Sequence, residues 1–152
     1  MIKLRKATLY DIPAMQKLVI QEVKDGIILA RSDDEIATNI RSYILAFKDQ
    51  ELIGYAALHI HSPNLAEIRS LIVSKSARGL GVGKKIVEYC KQEAKELGLK
   101  EVLVLTYIAE FFEKLGFKEI EKEKIPEHKI WQDCIKCIHF PVCNEISLIY
   151  KV

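Results

Sequence analysis

Hydrophobic and polar positions change period several times along this chain, and each change marks an element. Residues 1–7 alternate Ile2 and Leu4 with Lys3 and Arg5, the period of two that a half-buried strand requires. Asp11-Ile12-Pro13 then reads as a helix start with proline in the first turn. Met15, Leu18, Val19 and Val23 form an apolar stripe that stops at Asp25-Gly26. Ser32-Asp33-Asp34-Glu35 has the form of a capping box, so a second helix is expected to run to about Ser42. Between the two helices lies Gly26-Ile27-Ile28-Leu29-Ala30-Arg31, unusually apolar for a linker.

Residues 43–48 and 52–60 predict an antiparallel hairpin across Asp49-Gln50-Glu51, and His61-Ser62-Pro63-Asn64 turns the chain into a strand over 66–73. Ile86, Val87, Cys90, Ala94 and Leu97 recur at helical spacing, with Gly98 as the stop. A Val- and Leu-rich strand over 101–106, a short helix over 109–115 ending at Gly116, and strands over 117–121 and 146–152 complete the pattern. No internal repeat or low-complexity stretch interrupts it, so a single α/β domain with a mixed sheet is expected over residues 1–152.

Composition narrows the function more than the fold. A chain of 152 residues can bury a core without help from metal or disulfides. Its 23 basic and 21 acidic residues leave a net charge of +2, so neither nucleic acid nor an anionic membrane is an expected partner. There is no run of about eighteen apolar residues, and MIKLRKATLY lacks the apolar centre of a signal peptide, so a soluble cytoplasmic protein is expected. In that compartment Cys90, Cys134, Cys137 and Cys143 would be reduced thiols or metal ligands rather than structural disulfides.

The chemistry concentrates between Glu67 and Cys90, where an apolar strand meets Arg78-Gly79-Leu80-Gly81-Val82-Gly83 and then an amphipathic helix. Glycines there let a ligand approach the main chain, and the helix presents unpaired N–H groups and the positive end of its dipole. A phosphate-bearing ligand is implied. No G-K-[ST] closes the loop as in a Walker motif, and the glycines alternate as G-x-G-x-G rather than in the dinucleotide pattern.

The arrangement resembles the pyrophosphate loop, [RQ]-x-x-G-x-[GA], of the GCN5-related N-acetyltransferases (GNATs), with FFEKLGF following at residues 111–117. Taken with ILARSDDEI, AALHI, AEIRSLIV, VLTY and WQDCIKC, the whole chain looks like the single-domain bacterial N-acetylglutamate synthases. The resemblance implies a GNAT fold, a mixed central sheet of about seven strands flanked by about four helices. It further implies direct transfer of acetyl from acetyl-CoA to the α-amine of L-glutamate, the entry to arginine biosynthesis, with no metal.

Roles for individual residues follow from that likeness and from chemistry. The backbone of Gly79, Leu80, Gly81, Val82, Gly83 and Lys84 would hold the pyrophosphate, with charge from Arg78 and Lys84. Main chain of Leu71, Ile72 and Val73 would pair with the pantetheine arm, and a backbone N–H there would meet the thioester oxygen as charge develops. Two carboxylates on glutamate suit guanidinium groups, so Arg31 and Arg69 are the acceptor-binding candidates, Arg69 on whichever face strand alternation gives it. Glu67 is the candidate base and His59 a competing one. Many GNATs carry a tyrosine acid where this chain has Phe112; Tyr107 is the candidate proton donor in its place, the alternative being a thiolate that, with a pKa of roughly 8.5, leaves unprotonated or takes its proton from water.

Cys134, Cys137 and Cys143, with His139, offer four zinc ligands, but His139 follows Cys137 too closely for the usual spacing, and reduced packed thiols are favoured. Two further function classes stay open, a GNAT acting on a different amine and a noncatalytic acyl-CoA-binding module. A homodimer through the C-terminal strands or a sheet edge is compatible with the pattern.

Overall fold

The computed structural model describes residues 1–121 and 145–152. Strands β1 (Ile2–Lys6), β2 (Tyr43–Lys48), β3 (Glu51–Ile60), β4 (Leu65–Val73), β5 (Glu101–Thr106), β6 (Lys118–Ile120) and β7 (Ile146–Lys151) are joined by α1 (Ile12–Leu18), α2 (Ile20–Lys24), α3 (Asp33–Thr38), α4 (Val82–Leu97) and α5 (Ala109–Glu113). The strands make one mixed sheet in the order β1-β2-β3-β4-β5-β7-β6. Neighbours run antiparallel except β4 and β5, which are parallel. The connection between those two is α4, as a crossover between parallel strands requires.

Among the described residues five α-helices stand where about four were expected, because the first apolar stripe breaks at Val19 (φ −104°, ψ 4°). Val19 is 5% exposed, and its side chain packs in the core while its backbone leaves the helix. Packing overrides the continuous periodicity. The second expected helix stops short of Ser42 for a local reason. Asn39 leaves helical dihedrals and its side-chain amide donates to the Glu35 carbonyl at 2.9 Å, after which a 3-10 turn, Ile40–Ser42, leads into β2. The start of α3 is as the sequence predicts, with the Ser32 hydroxyl accepting from the Glu35 N–H at 3.1 Å. Asp49 and Gln50 both take positive φ (51° and 71°), giving a two-residue turn that matches strand twist.

Two apolar cores lie on opposite faces of the sheet. On one, α4 buries Ile86, Val87, Cys90 and Ala94 against Ile44, Ala56, Leu58, Ile68, Val102 and Val104. Each fully buried Ile or Val contributes roughly 1.5–3 kcal/mol of transfer free energy. Burial pushes the Cys90 thiol up to about 12, so it packs there as a small apolar group. On the other face Met15 and Ile36 cover Tyr43, Leu45, Tyr55, Ala57 and Ile72. Among the described residues no helix is long and apolar enough to cross a membrane.

The chain between β1 and α1 is tied by Asp11, which accepts from both terminal nitrogens of Arg5 at 2.8 and 2.9 Å and from the Thr8 N–H at 2.7 Å. Those bonds, the Arg5 pair foremost, lower the Asp11 carboxyl to about 2. A carboxylate depressed in this way adds stability that is complete above the ordinary value near 4 and disappears as pH falls through about 2. Because Arg5 is half exposed, we expect Asp11→Asn to cost only about 1 kcal/mol at pH 7. Urea titrations should show wild type and variant converging as the pH approaches 2.

Candidate active site

A parting of strands opens the middle of the sheet. β4 and β5 pair at Leu65 with Glu101, Ala66 with Val102 and Glu67 with Leu103, and no further. Beyond Glu67, β4 stays on β3 but carries a bulge: Tyr55 opposes Ile72 and Ala57 opposes Arg69, so Ala56 faces both Ser70 and Leu71. Ser70 takes φ +58°, a left-handed conformation uncommon for a residue with a side chain. The result is a cleft of about 1040 Å³ with β4 as one wall and the end of β5 as the other.

The bulge also decides which peptide groups face the cleft. The Ser74 N–H donates to the Ile53 carbonyl at 2.7 Å, so alternation turns the peptide groups of Ile72 into the β3 ladder and those of Leu71 and Val73 toward the gap. Gly54, behind this edge, has room for no side chain, since a Cβ there would lie 2.8 Å from the Ile72 carbonyl oxygen.

At the wide end of the cleft the glycine loop delivers α4. Gly79 (φ 85°) and Gly81 (φ 75°) are left-handed, and Gly81 caps the helix with no side-chain bond to its first turn. The opening N–H groups and the positive helix end therefore face the cleft, beside Arg78 and Lys84. Gly83 keeps the approach clear, because a Cβ there would already meet Phe111 at 3.3 Å. Leu80 is 45% exposed and does not line the cleft.

Arg31, Glu67, Arg69, Tyr107 and Glu145 also line the cleft, Glu67 at the level where β4 and β5 part and Tyr107 and Glu145 at the end of the β5–β7 pair. The alternation left open by the sequence resolves with Arg69 and Glu67 on one face, lining one space with Arg31. Arg31 has a side chain 10% exposed, lies 3.6 Å from the Glu35 carboxylate, and has its carbonyl held by the Gln16 amide at 2.8 Å. Tyr107, at the end of β5, is 43% exposed. Phe112, 1% exposed, is wedged between Phe111 and Phe117 with ring centroids 5.0 and 5.3 Å away, a core position with no proton to give.

His59 lies behind Glu67 rather than on the cleft. Its ring packs edge-to-face on His61 at 4.9 Å, and His61 Nε2 is 2.8 Å from Glu67 Oε1. Sequence reasoning placed His61 in a turn and passed over it; the signal was its spacing, two residues beyond His59 and so on the same strand face. Glu145 was also missed, and no motif marks it. Among the described residues no group of three His, Cys, Asp or Glu could hold a metal ion. The candidate zinc ligands Cys134, Cys137, His139 and Cys143 lie outside the described residues.

The model of the acetyltransferase (GNAT) family matches residues 8–117. The chain belongs to the GNAT family. An uncharacterized N-acetyltransferase of Chlorobaculum tepidum is 39% identical over 145 residues, covering 95% of this chain and 93% of the relative. An amino-acid acetyltransferase of Mycobacterium tuberculosis is 33% identical over 149 residues, 96% of this chain and 84% of the relative. Among solved structures, N-acetylglutamate synthase from Neisseria gonorrhoeae, complexed with coenzyme A and N-acetyl-glutamate, superposes with a TM-score of 0.88 at 24% identity. That match covers 99% of this chain and 35% of the gonococcal one, and it shows the shared GNAT fold.

If the α4 N-terminus takes the pyrophosphate, Gly81→Val should weaken acetyl-CoA binding at least tenfold by calorimetry. A side chain forced to φ 75° is strained and its bulk stands before the first-turn N–H groups. Unchanged affinity in a folded variant would remove the loop from the cofactor site.

Proposed function

We propose that this GNAT acetyltransferase moves acetyl from acetyl-CoA to the α-amine of L-glutamate, yielding N-acetylglutamate and CoA. The observation that carries the reading is the meeting of two guanidinium side chains, Arg31 and Arg69, with the buried carboxyl of Glu67 on one cleft. A dicarboxylate suits such a pair, whereas a polyamine would be repelled by it. The similarity to the mycobacterial amino-acid acetyltransferase and to the gonococcal synthase fold points the same way.

In this reading the Gly79–Lys84 main chain and Arg78 bind the pyrophosphate, and the β4 edge at Leu71 and Val73 aligns the pantetheine arm. Arg31 and Arg69 hold the acceptor's carboxylates so that its amine meets the thioester. An α-amine with pKa of roughly 8 arrives charged, and Glu67 takes its proton. The nitrogen forms its bond to the acetyl carbon, the carbon–sulfur bond breaks, and the second proton of the nitrogen leaves through Glu67 once Glu67 has passed the first to solvent. The Leu71 N–H stabilises the oxygen as it gains charge. Tyr107 supplies a proton to the departing thiolate and regains one from solvent.

Purified protein with acetyl-CoA and L-glutamate should form N-acetylglutamate saturably, identified by mass, in preference to other common amino acids and spermidine. Release of CoA only with a different amine would reject glutamate while leaving the family intact. Arg31→Ala should lower kcat/KM for glutamate by on the order of 2–4 kcal/mol with little change in acetyl-CoA affinity. Glu67→Gln should lower kcat about 100-fold or more, the range for a lost general base.

A further inference from the structure

Glu67 is a carboxylate almost withdrawn from water: its side chain is 2% exposed and that of its partner His61 is 0% exposed. Burying an ionised carboxylate costs several kcal/mol unless strong hydrogen bonds replace its hydration. The bond to His61, at 2.8 Å, is of the length that a charge-assisted N–H donor makes. We propose that His61 is the positioning residue of the catalytic base: its Nε2–H donates to Glu67 Oε1, holding the carboxylate ionised and aimed at the cleft. The inference rests on the reading of Glu67 as base given above.

Three features of the fold support this assignment. His61 sits just past the end of β3, anchored by its N–H to the Leu65 carbonyl at 2.9 Å, so its ring reaches Glu67 along the diagonal of the β3–β4 pair. His59, the register partner of Glu67, packs edge-to-face against the His61 ring at 75° and so helps to set its plane. The bond engages Oε1 of the carboxyl group, and Glu67 lines the cleft whereas His61 does not. The cleft that Glu67 lines is also lined by the charged or titratable groups Glu22, Arg31, Arg69, Arg78, Lys84, Tyr107 and Glu145; Leu103, the partner of Glu67 on β5, is apolar. Of the two histidines, the sequence singled out His59 as a rival base; the geometry assigns the supporting role to its neighbour.

The test separates this inference from the choice of acceptor. In wild-type protein labelled with ¹⁵N-histidine, long-range ¹H–¹⁵N spectra should show a buried ring with its proton on Nε2, whose nitrogen shifts move on Glu67→Gln and vanish on His61→Gln. A His61 ring without a proton on Nε2, or one indifferent to Glu67→Gln, would overturn the proposal. This measurement needs no turnover and no apolar variant, so it stands even if glutamate proves not to be the acceptor or if His61→Leu fails to fold. In the assay, His61→Leu should lower kcat about 100-fold with the KM for acetyl-CoA within twofold. His61→Gln, whose amide keeps an N–H near the Nε2 position, should regain at least tenfold of that loss. A folded Leu variant with wild-type kcat, or a Gln variant no better than Leu, would show that the ring serves packing alone.

Discussion

The shortness of the parallel pairing between β4 and β5 is the constraint on which the rest of the structure depends. Three residue pairs hold the two halves of the sheet together, and then β4 leaves with a bulge at Ser70 while β5 remains with β7. Peptide groups that a continuous sheet would have paired, those of Leu71 and Val73, instead face a wall of the cleft. The helix that makes the parallel crossover begins at the same opening, so its unpaired N–H groups are brought there by topology rather than by a dedicated loop.

Charge is distributed about this opening in order. Arg78, Lys84 and the helix end line the cleft where anionic phosphates would sit; Arg31, Arg69 and Glu67 line it as well, Glu67 at the level where β4 and β5 part. The carboxylate stays buried because a histidine from the next strand meets it, and that histidine is itself held by another. This polar chain stands on the face of the sheet opposite α4, whose side is packed with apolar residues around its centre.

Much of the fold was legible because it is written in period and punctuation. The strands, the glycine-capped α4 and its stop at Gly98 follow from alternation, helical spacing and turn residues. What was not legible depends on partners distant in sequence. Val19 breaks a helix whose stripe is continuous because its side chain is required in the core. Glu67 and Arg69 share a face by ordinary alternation, but the bulge at Ser70 shifts the parity beyond them, so Leu71 and Val73 pack toward α4, and no local signal announces that step. The loop glycines, Arg31 and Tyr107 could be singled out by their chemistry and setting, whereas His61 acquires meaning only when β3 lies beside β4.

β7 carries a consequence for how the molecule comes to be folded. It lies between β5 and β6, both of which precede it in the chain, so during synthesis these two strands emerge without the neighbour that joins them. Until residues 146–151 have been made, β5 has only its brief parallel contact with β4 to align it. Completion of the sheet is therefore a long-range event that must overcome the entropy of closing a large loop. A growing chain would possess Arg31, Glu67, Arg69 and the glycine entrance to α4 before β5 gained the neighbour that fixes it as the far wall of the cleft.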